Sequence, residues 1–187
     1  APETVASWGA ALADTLAGVP GPVLDLASGR GEWLGVWSGL DLEARGVDDD
    51  EPSVERLRDR GHDVVLDDPI GHLGTRPPGS LGAVTAASLA DVTDLADVVR
   101  VADAAREALR PGGLIVLAAA HPLDAAADDE LWIDPRRRPV RPELLVALAV
   151  DRGYAEVSTV ALERTDDGGS RAYALVARTA GEPDRHR

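Results

Sequence analysis

The stretch Val23-Leu24-Asp25-Leu26-Ala27-Ser28-Gly29-Arg30-Gly31-Glu32-Trp33-Leu34 decides how the chain is read. Its apolar opening follows a Gly-Val-Pro-Gly-Pro turn and has the length of a short buried strand. The small residues beyond it let a ligand approach the backbone, and the helix start after Gly31 offers unpaired N–H groups. That combination suits a nucleoside cofactor. A dinucleotide fingerprint would need another glycine at position 34, which is leucine, and a phosphate-cradling P-loop needs a lysine, which the chain lacks. Taken alone, small-x-Gly-x-Gly also fits a tight turn with no ligand.

The flanking sequence alternates between helical and strand-like patterns. Thr4 to Leu16 is alanine-rich and helix-compatible, and Ala44 to Val47 reads as a second strand ending on acidic residues. Pro52 opens a helix that Gly61 stops, Asp63 to Leu66 is a third strand, and Leu81 to Ala86 a fourth. Apolar residues at Leu95, Val98, Val99, Ala102, Ala105 and Leu109 follow helical spacing. Pro111-Gly112-Gly113 is expected to break that helix and launch the strand Leu114 to Ala118. Pro142 to Arg152 reads as a helix with Leu144, Leu145 and Leu148 inward. Ala155 to Leu162 and Arg171 to Ala177, separated by Asp166-Asp167-Gly168-Gly169, read as a hairpin. Such alternation predicts a parallel sheet covered on both faces, with ligands beyond the carboxyl ends of its strands.

Composition narrows the function. At 187 residues and 44% hydrophobic, the chain is expected to form one α/β domain, with a helical lead over 1–18 and disorder over 179–187. Its formal charge of -14 opposes binding to a phosphate backbone, so nucleic acid is not the expected partner. No cysteine is available for disulfides or thiolate metal sites. No apolar run approaches the roughly 20 residues of a bilayer span, and no signal or lipidation pattern stands out, so a cytoplasmic location is expected by default.

The quoted stretch resembles motif I of class I S-adenosylmethionine (SAM)-dependent methyltransferases, an acidic residue followed by spaced glycines, with Ala27 where the first glycine stands in the family. Further similar segments follow in order: Gly46-Val47-Asp48, Val64-Val65-Leu66-Asp67-Asp68, Ser80 to Asp91, and Leu109-Arg110-Pro111-Gly112-Gly113-Leu114. The resemblance runs from about Pro20 to Ala177. Gly29 to Leu34, with Leu131-Trp132-Ile133-Asp134-Pro135 and Arg138 to Leu145, is similar to bacterial methyltransferases of polysaccharide and O-antigen assembly. This chain departs from that subgroup where Asp91-Val92 replaces Glu-His, and where arginines replace a histidine after the Asp-Pro pair.

What the resemblance implies is a doubly wound, Rossmann-like seven-stranded sheet, mostly parallel, with a C-terminal hairpin. It implies SAM held by Asp25, Ala27, Ser28, Gly29, Gly31, Asp48, Asp68 and Ser88, with Asp48 on the ribose and Asp68 on the adenine amino group. Holding the glycine loop through backbone hydrogen bonds is an equal alternative for Asp25. The implied acceptor is a small molecule, a sugar hydroxyl. Methylation of nucleobase amines is disfavoured, because Ala86-Ala87-Ser88-Leu89 stands where such enzymes carry Asn/Asp-Pro-Pro-aromatic. Another small metabolite, or SAM binding without turnover, are the other readings.

An alcohol acceptor benefits from a positioned base. His62 falls at a helix–strand turn, His72 in the loop after the third strand, and His186 in the tail; His121 follows the fifth strand on the ligand-facing edge and is the leading candidate. Asp91 and Asp134 compete for that role, and with His121 they have the chemistry of an oxygen-rich Mg²⁺ site, although no spacing demands a metal. Arg137 and Arg138 are candidate acceptor contacts or else a solvated run. Trp33 and Trp37 belong to the core or to a pocket wall, Trp33 being the candidate substrate contact.

Overall fold

The computed structural model describes residues 2–87, 89–120, 139–164 and 170–181. Along the chain lie α1 (Pro2–Leu16), β1 (Val23–Leu26), α2 (Glu32–Gly39), β2 (Ala44–Asp48), α3 (Glu51–Asp59), β3 (Asp63–Leu66), α4 (Pro69–Gly74) and β4 (Leu81–Ala87). Next come α5 (Leu89–Val92), α6 (Leu95–Ala108), β5 (Leu109–Ala120), α7 (Pro142–Asp151), β6 (Ala155–Arg164) and β7 (Ser170–Arg178).

The strands form one sheet in the order β3-β2-β1-β4-β5-β7-β6. The first five run parallel, whereas β7 is antiparallel to β5 and β6 to β7, so the C-terminal hairpin closes one end. Because β1 lies between β2 and β4, the chain winds outward on one side of β1 and then restarts on the other. That reversal opens a crevice beyond the carboxyl ends of β1 and β4.

Burial on both faces explains the near-continuous apolar character of the inner strands. One layer packs Leu24, Leu26, Val84 and Leu117 against Leu73 of α4, Val98, Val101 and Ala105 of α6, and Leu145 of α7. The other packs Val23, Ala83, Leu114 and Val116 against Trp8, Leu12 and Leu16 of α1 and Trp33 and Trp37 of α2. Leu34, Val54, Leu57 and Val64 fill the corner under α3. Among the described residues no helix is long and apolar enough to cross a membrane.

Four expectations change. His72 lies on α4 and not in a loop: Asp68 caps a six-residue helix whose two glycines leave no apolar period to read. The short α5 was likewise invisible to periodicity. Pro111-Gly112-Gly113 does not precede β5 but lies within it, absorbed by a register shift opposite Leu81–Ala83, so the strand starts at Leu109. Leu144 is 46% exposed, because neighbouring leucines 144 and 145 point about 100° apart on a helix, and Leu145 with Ala149 takes the inward face.

Candidate functional site

The loop from Ala27 to Gly31 connects β1 to α2 at the mouth of the crevice. Ala27 has φ 48°, the left-handed region where the resembling family carries glycine, and Gly29 has φ 51°. A Cβ added at Gly29 would meet nothing closer than the Ala27 carbonyl oxygen at 3.7 Å, so the space beside it is open. Gly46, in the neighbouring strand, is fixed by packing instead: a Cβ there would stand 2.6 Å from Ser28 Oγ. Ser28 is itself buried and donates to the Asp25 carbonyl at 3.1 Å.

Asp25 and Thr85 face each other across the β1–β4 ladder, and the Thr85 hydroxyl donates to Asp25 Oδ1 at 2.8 Å. Asp25 is 1% exposed. Burial pushes its carboxyl up from 3.8 to about 7, against the opposing effect of hydrogen bonds from Thr85 and Ser28.

Asp48, at the end of β2, is buried and bridges two backbone amides. The Gly29 N–H donates to Oδ2 at 2.7 Å and the Asp50 N–H to Oδ1 at 2.9 Å. An ionised carboxylate oxygen has about two lone-pair sites, so each retains one for a ligand hydroxyl. One strand further out, the exposed Asp68 accepts the Gly71 N–H at 2.7 Å as the cap of α4. Its neighbour Asp67 is engaged with Asp68 N–H and with His72 Nδ1 at 2.8 Å. Asp48 thus ends β2 and Asp68 follows β3, while Asp25 lies within β1, level with Gly46 and held by Thr85.

On the other side of the crevice, Asp91 of α5 is 1% exposed, and its two carboxylate oxygens lie 3.0 and 3.2 Å from the Ala120 amide nitrogen at the end of β5. Trp33 and Trp37 are fully buried, and the Trp33 ring lies 5.0 Å from that of Trp8. Ser88, His121, Asp134, Arg137 and Arg138 lie outside the described residues, as does His186. Among the described residues no group of His, Asp or Glu is placed to hold a metal.

Sequence reasoning missed Thr85 and the packing reason for Gly46. A lone glycine inside a strand is itself a sign of close approach, and at Gly46 the side chains of Ser28, Leu34 and Val64 are what come close. Thr85 gave no such sign, because its pairing with Asp25 is set by the β1–β4 register, 60 residues apart in sequence.

No protein-family model and no curated protein matches the chain. Solved structures do. A SAM-dependent methyltransferase from Archaeoglobus fulgidus superposes with a TM-score of 0.79 at 21% identity, over 91% of this chain and 92% of that one. A methyltransferase from Thermotoga maritima, described as a possible histamine N-methyltransferase, gives 0.72 at 18% identity, over 94% and 88%. The glycopeptide N-methyltransferase MtfA, complexed with S-adenosylhomocysteine (SAH), gives 0.65 at 19% identity, over 91% and 86%. With a crevice at the β1–β4 reversal, a glycine loop feeding α2 and an antiparallel hairpin closing the sheet, the chain has the Rossmann-like fold of the SAM-dependent methyltransferases.

Proposed function

We propose that the protein is a SAM-dependent methyltransferase acting on a hydroxyl of a small polar acceptor, a sugar or oligosaccharide. The observation that supports this most is the pairing of Gly29 with Asp48. Open space on one side of the loop stands next to a buried carboxylate that keeps one lone pair on each oxygen, a pair of acceptors suited to the two hydroxyls of a ribose. Gly29 leaves room for the cofactor, Gly31 leads the loop into the start of α2, Ala27 and Ser28 shape the turn, Asp68 is assigned to the adenine amino group, and Ser88 to the cofactor. Bound SAM supplies a methyl group on a positively charged sulfur.

What remains for the chain is to align the acceptor and exclude water. His121 follows Ala120 directly in sequence and is assigned to take the acceptor proton, since an imidazole with an ordinary pKa of about 6.5 is largely neutral near pH 7. Asp91, with both oxygens near one backbone amide, is assigned to holding the end of β5. Asp134, directly or through Mg²⁺, is the alternative base. Arg137 and Arg138 are assigned to the acceptor, and Trp33 to the wall beneath it.

Transfer of a radiolabelled methyl group from SAM to a panel of mono- and oligosaccharides tests this, with amines included because two structural neighbours are described as N-methyltransferases. Label in a sugar hydroxyl is the expected result, reduced roughly 10²-fold by His121→Ala. Label confined to amines or another metabolite overturns the acceptor assignment, and cofactor binding with no transfer to any acceptor overturns the enzymatic one.

A further inference from the structure

The glycine loop is tied to α3 by a closed ring of hydrogen bonds. Gly29 N–H donates to Asp48 Oδ2 at 2.7 Å, and Asp48 Oδ1 accepts from Asp50 N–H at 2.9 Å. Asp50 caps α3, its Oδ2 accepting both the Ser53 N–H at 3.0 Å and the Ser53 hydroxyl at 2.6 Å. Arg56 Nη2 then donates to Ser53 Oγ at 2.8 Å and to the Gly29 carbonyl at 3.4 Å, which closes the ring on the residue where it began. Both the N–H and the C=O of Gly29 are therefore held, from opposite ends of one circuit.

Two neighbouring contacts act in the same direction. Arg60 Nη1 reaches the Arg30 carbonyl at 3.4 Å, and Leu57 fills the space where a Cβ on Gly31 would stand, 2.6 Å away. Helix α3 does not need the Arg56 bond for its own start, since Asp50 already caps it through the Ser53 backbone N–H. Ser53 is 7% exposed, so its hydroxyl sits in partly desolvated surroundings where a hydrogen bond gains strength.

We propose that Ser53 and Arg56 are positioning residues for the cofactor: without lying in the glycine loop, they fix the Gly29 peptide in the orientation that receives the nucleoside. This rests on the SAM reading above. A loop already held in its binding conformation loses less freedom when the ligand arrives, so breaking the circuit lowers affinity. The effect falls on the free loop's order and leaves the direct ribose contact of Asp48 in place.

Calorimetric titration with SAH is the test, and it needs no acceptor. Ser53→Ala and Arg56→Ala are each expected to weaken SAH by roughly 3- to 10-fold, the range for one hydrogen bond. The double variant is expected to lose little more than either alone, because one break opens the ring. Ser53→Thr keeps the hydroxyl and is expected to restore binding. Native helicity by circular dichroism in Ser53→Ala shows that α3 is intact. Wild-type affinity in both alanine variants overturns the proposal, as do fully additive losses with Ser53→Thr as weak as Ser53→Ala. Wild-type protein that fails to bind SAH removes the SAM reading and this inference with it, whereas SAH binding insensitive to both variants removes this inference alone.

Discussion

The two sides of the crevice are built differently. On the β1–β2–α3 side, polar partners form one closed circuit with several short steps in sequence: Asp50 with Ser53, Ser53 with Arg56, Gly29 with Asp48 19 residues on, and Arg56 back to Gly29 over 27 residues. On the β4–β5–β7 side they join distant segments. Asp91 holds the Ala120 N–H, 29 residues away, and the Tyr173 hydroxyl donates to the Val140 carbonyl at 2.6 Å from 33 residues away. Tyr173 also stands opposite Ala119 in the β5–β7 ladder. Its phenol is pushed upward by burial and by the charges of Asp91 and Glu143, so it remains a donor across the ordinary pH range. The first side is the proposed cradle for the cofactor. The second anchors the chain on both flanks of the stretch between Ala120 and Pro139, an arrangement concerned with placement more than with direct contact.

Variants break this contrast in a definite order. Gly29→Val should have the largest effect, removing SAH binding by on the order of 1000-fold, because the side chain enters the open space and strains a φ of 51°. Calorimetry checks it, and near-native affinity would place the ligand elsewhere.

Next comes Asp25, whose carboxyl is raised to about 7 in the folded protein. A raised carboxyl favours the fold fully only below the unfolded value near 4; that advantage is lost as pH rises towards 7, beyond which the folded protein bears the whole cost of a buried charge. Asp25→Asn should therefore gain stability relative to wild type between pH 4.5 and pH 8, by roughly 2–4 kcal/mol. Urea melts at the two pH values measure the difference. A pH-independent difference would show that Asp25 is not ionised at a cost.

On the opposite side, Asp91→Ala removes the carboxylate that the part-buried Ala120 amide donates to and should cost about 1–3 kcal/mol in the same melts. Asp91→Asn keeps an accepting oxygen and should lose less than half of that. If the asparagine variant kept its stability but lost methyl transfer as fully as alanine, Asp91 would be the base after all. The smallest effect belongs to Ala27→Gly, which relieves a φ of 48° and should change stability by no more than about 1 kcal/mol, with SAH binding retained.

The same contrast explains what could be read from the chain. β1 and β3 were legible to the residue, because Val23–Leu26 and Asp63–Leu66 are short apolar runs between clear turn signals. Asp25, Asp48 and the glycines could be singled out because the candidate site spans one strand, one loop and the next strand. Asp91 was singled out, but its hydrogen bond to Ala120 was not foreseen, since that depends on how α5 packs against β5. Thr85 was missed for the same reason. Helices α4 and α5 were too short for periodicity, and the leucines of α7 could not be sorted into faces until Leu145 and Ala149 took the inner one. On the β4–β5–β7 side, the sequence carries the residue types, while their arrangement depends on segments far apart in the chain.

In the proposed complex, the crevice beside β1 and β2 binds the nucleoside end of SAM, with Asp48 on the ribose. Titration of wild type and Asp48→Ala with SAH tests this placement. A single site is expected in the wild-type protein, with a loss of about 1–3 kcal/mol in the variant, the range for hydrogen bonds to a charged group. An unchanged dissociation constant in Asp48→Ala, or no binding by the wild type, would contradict it.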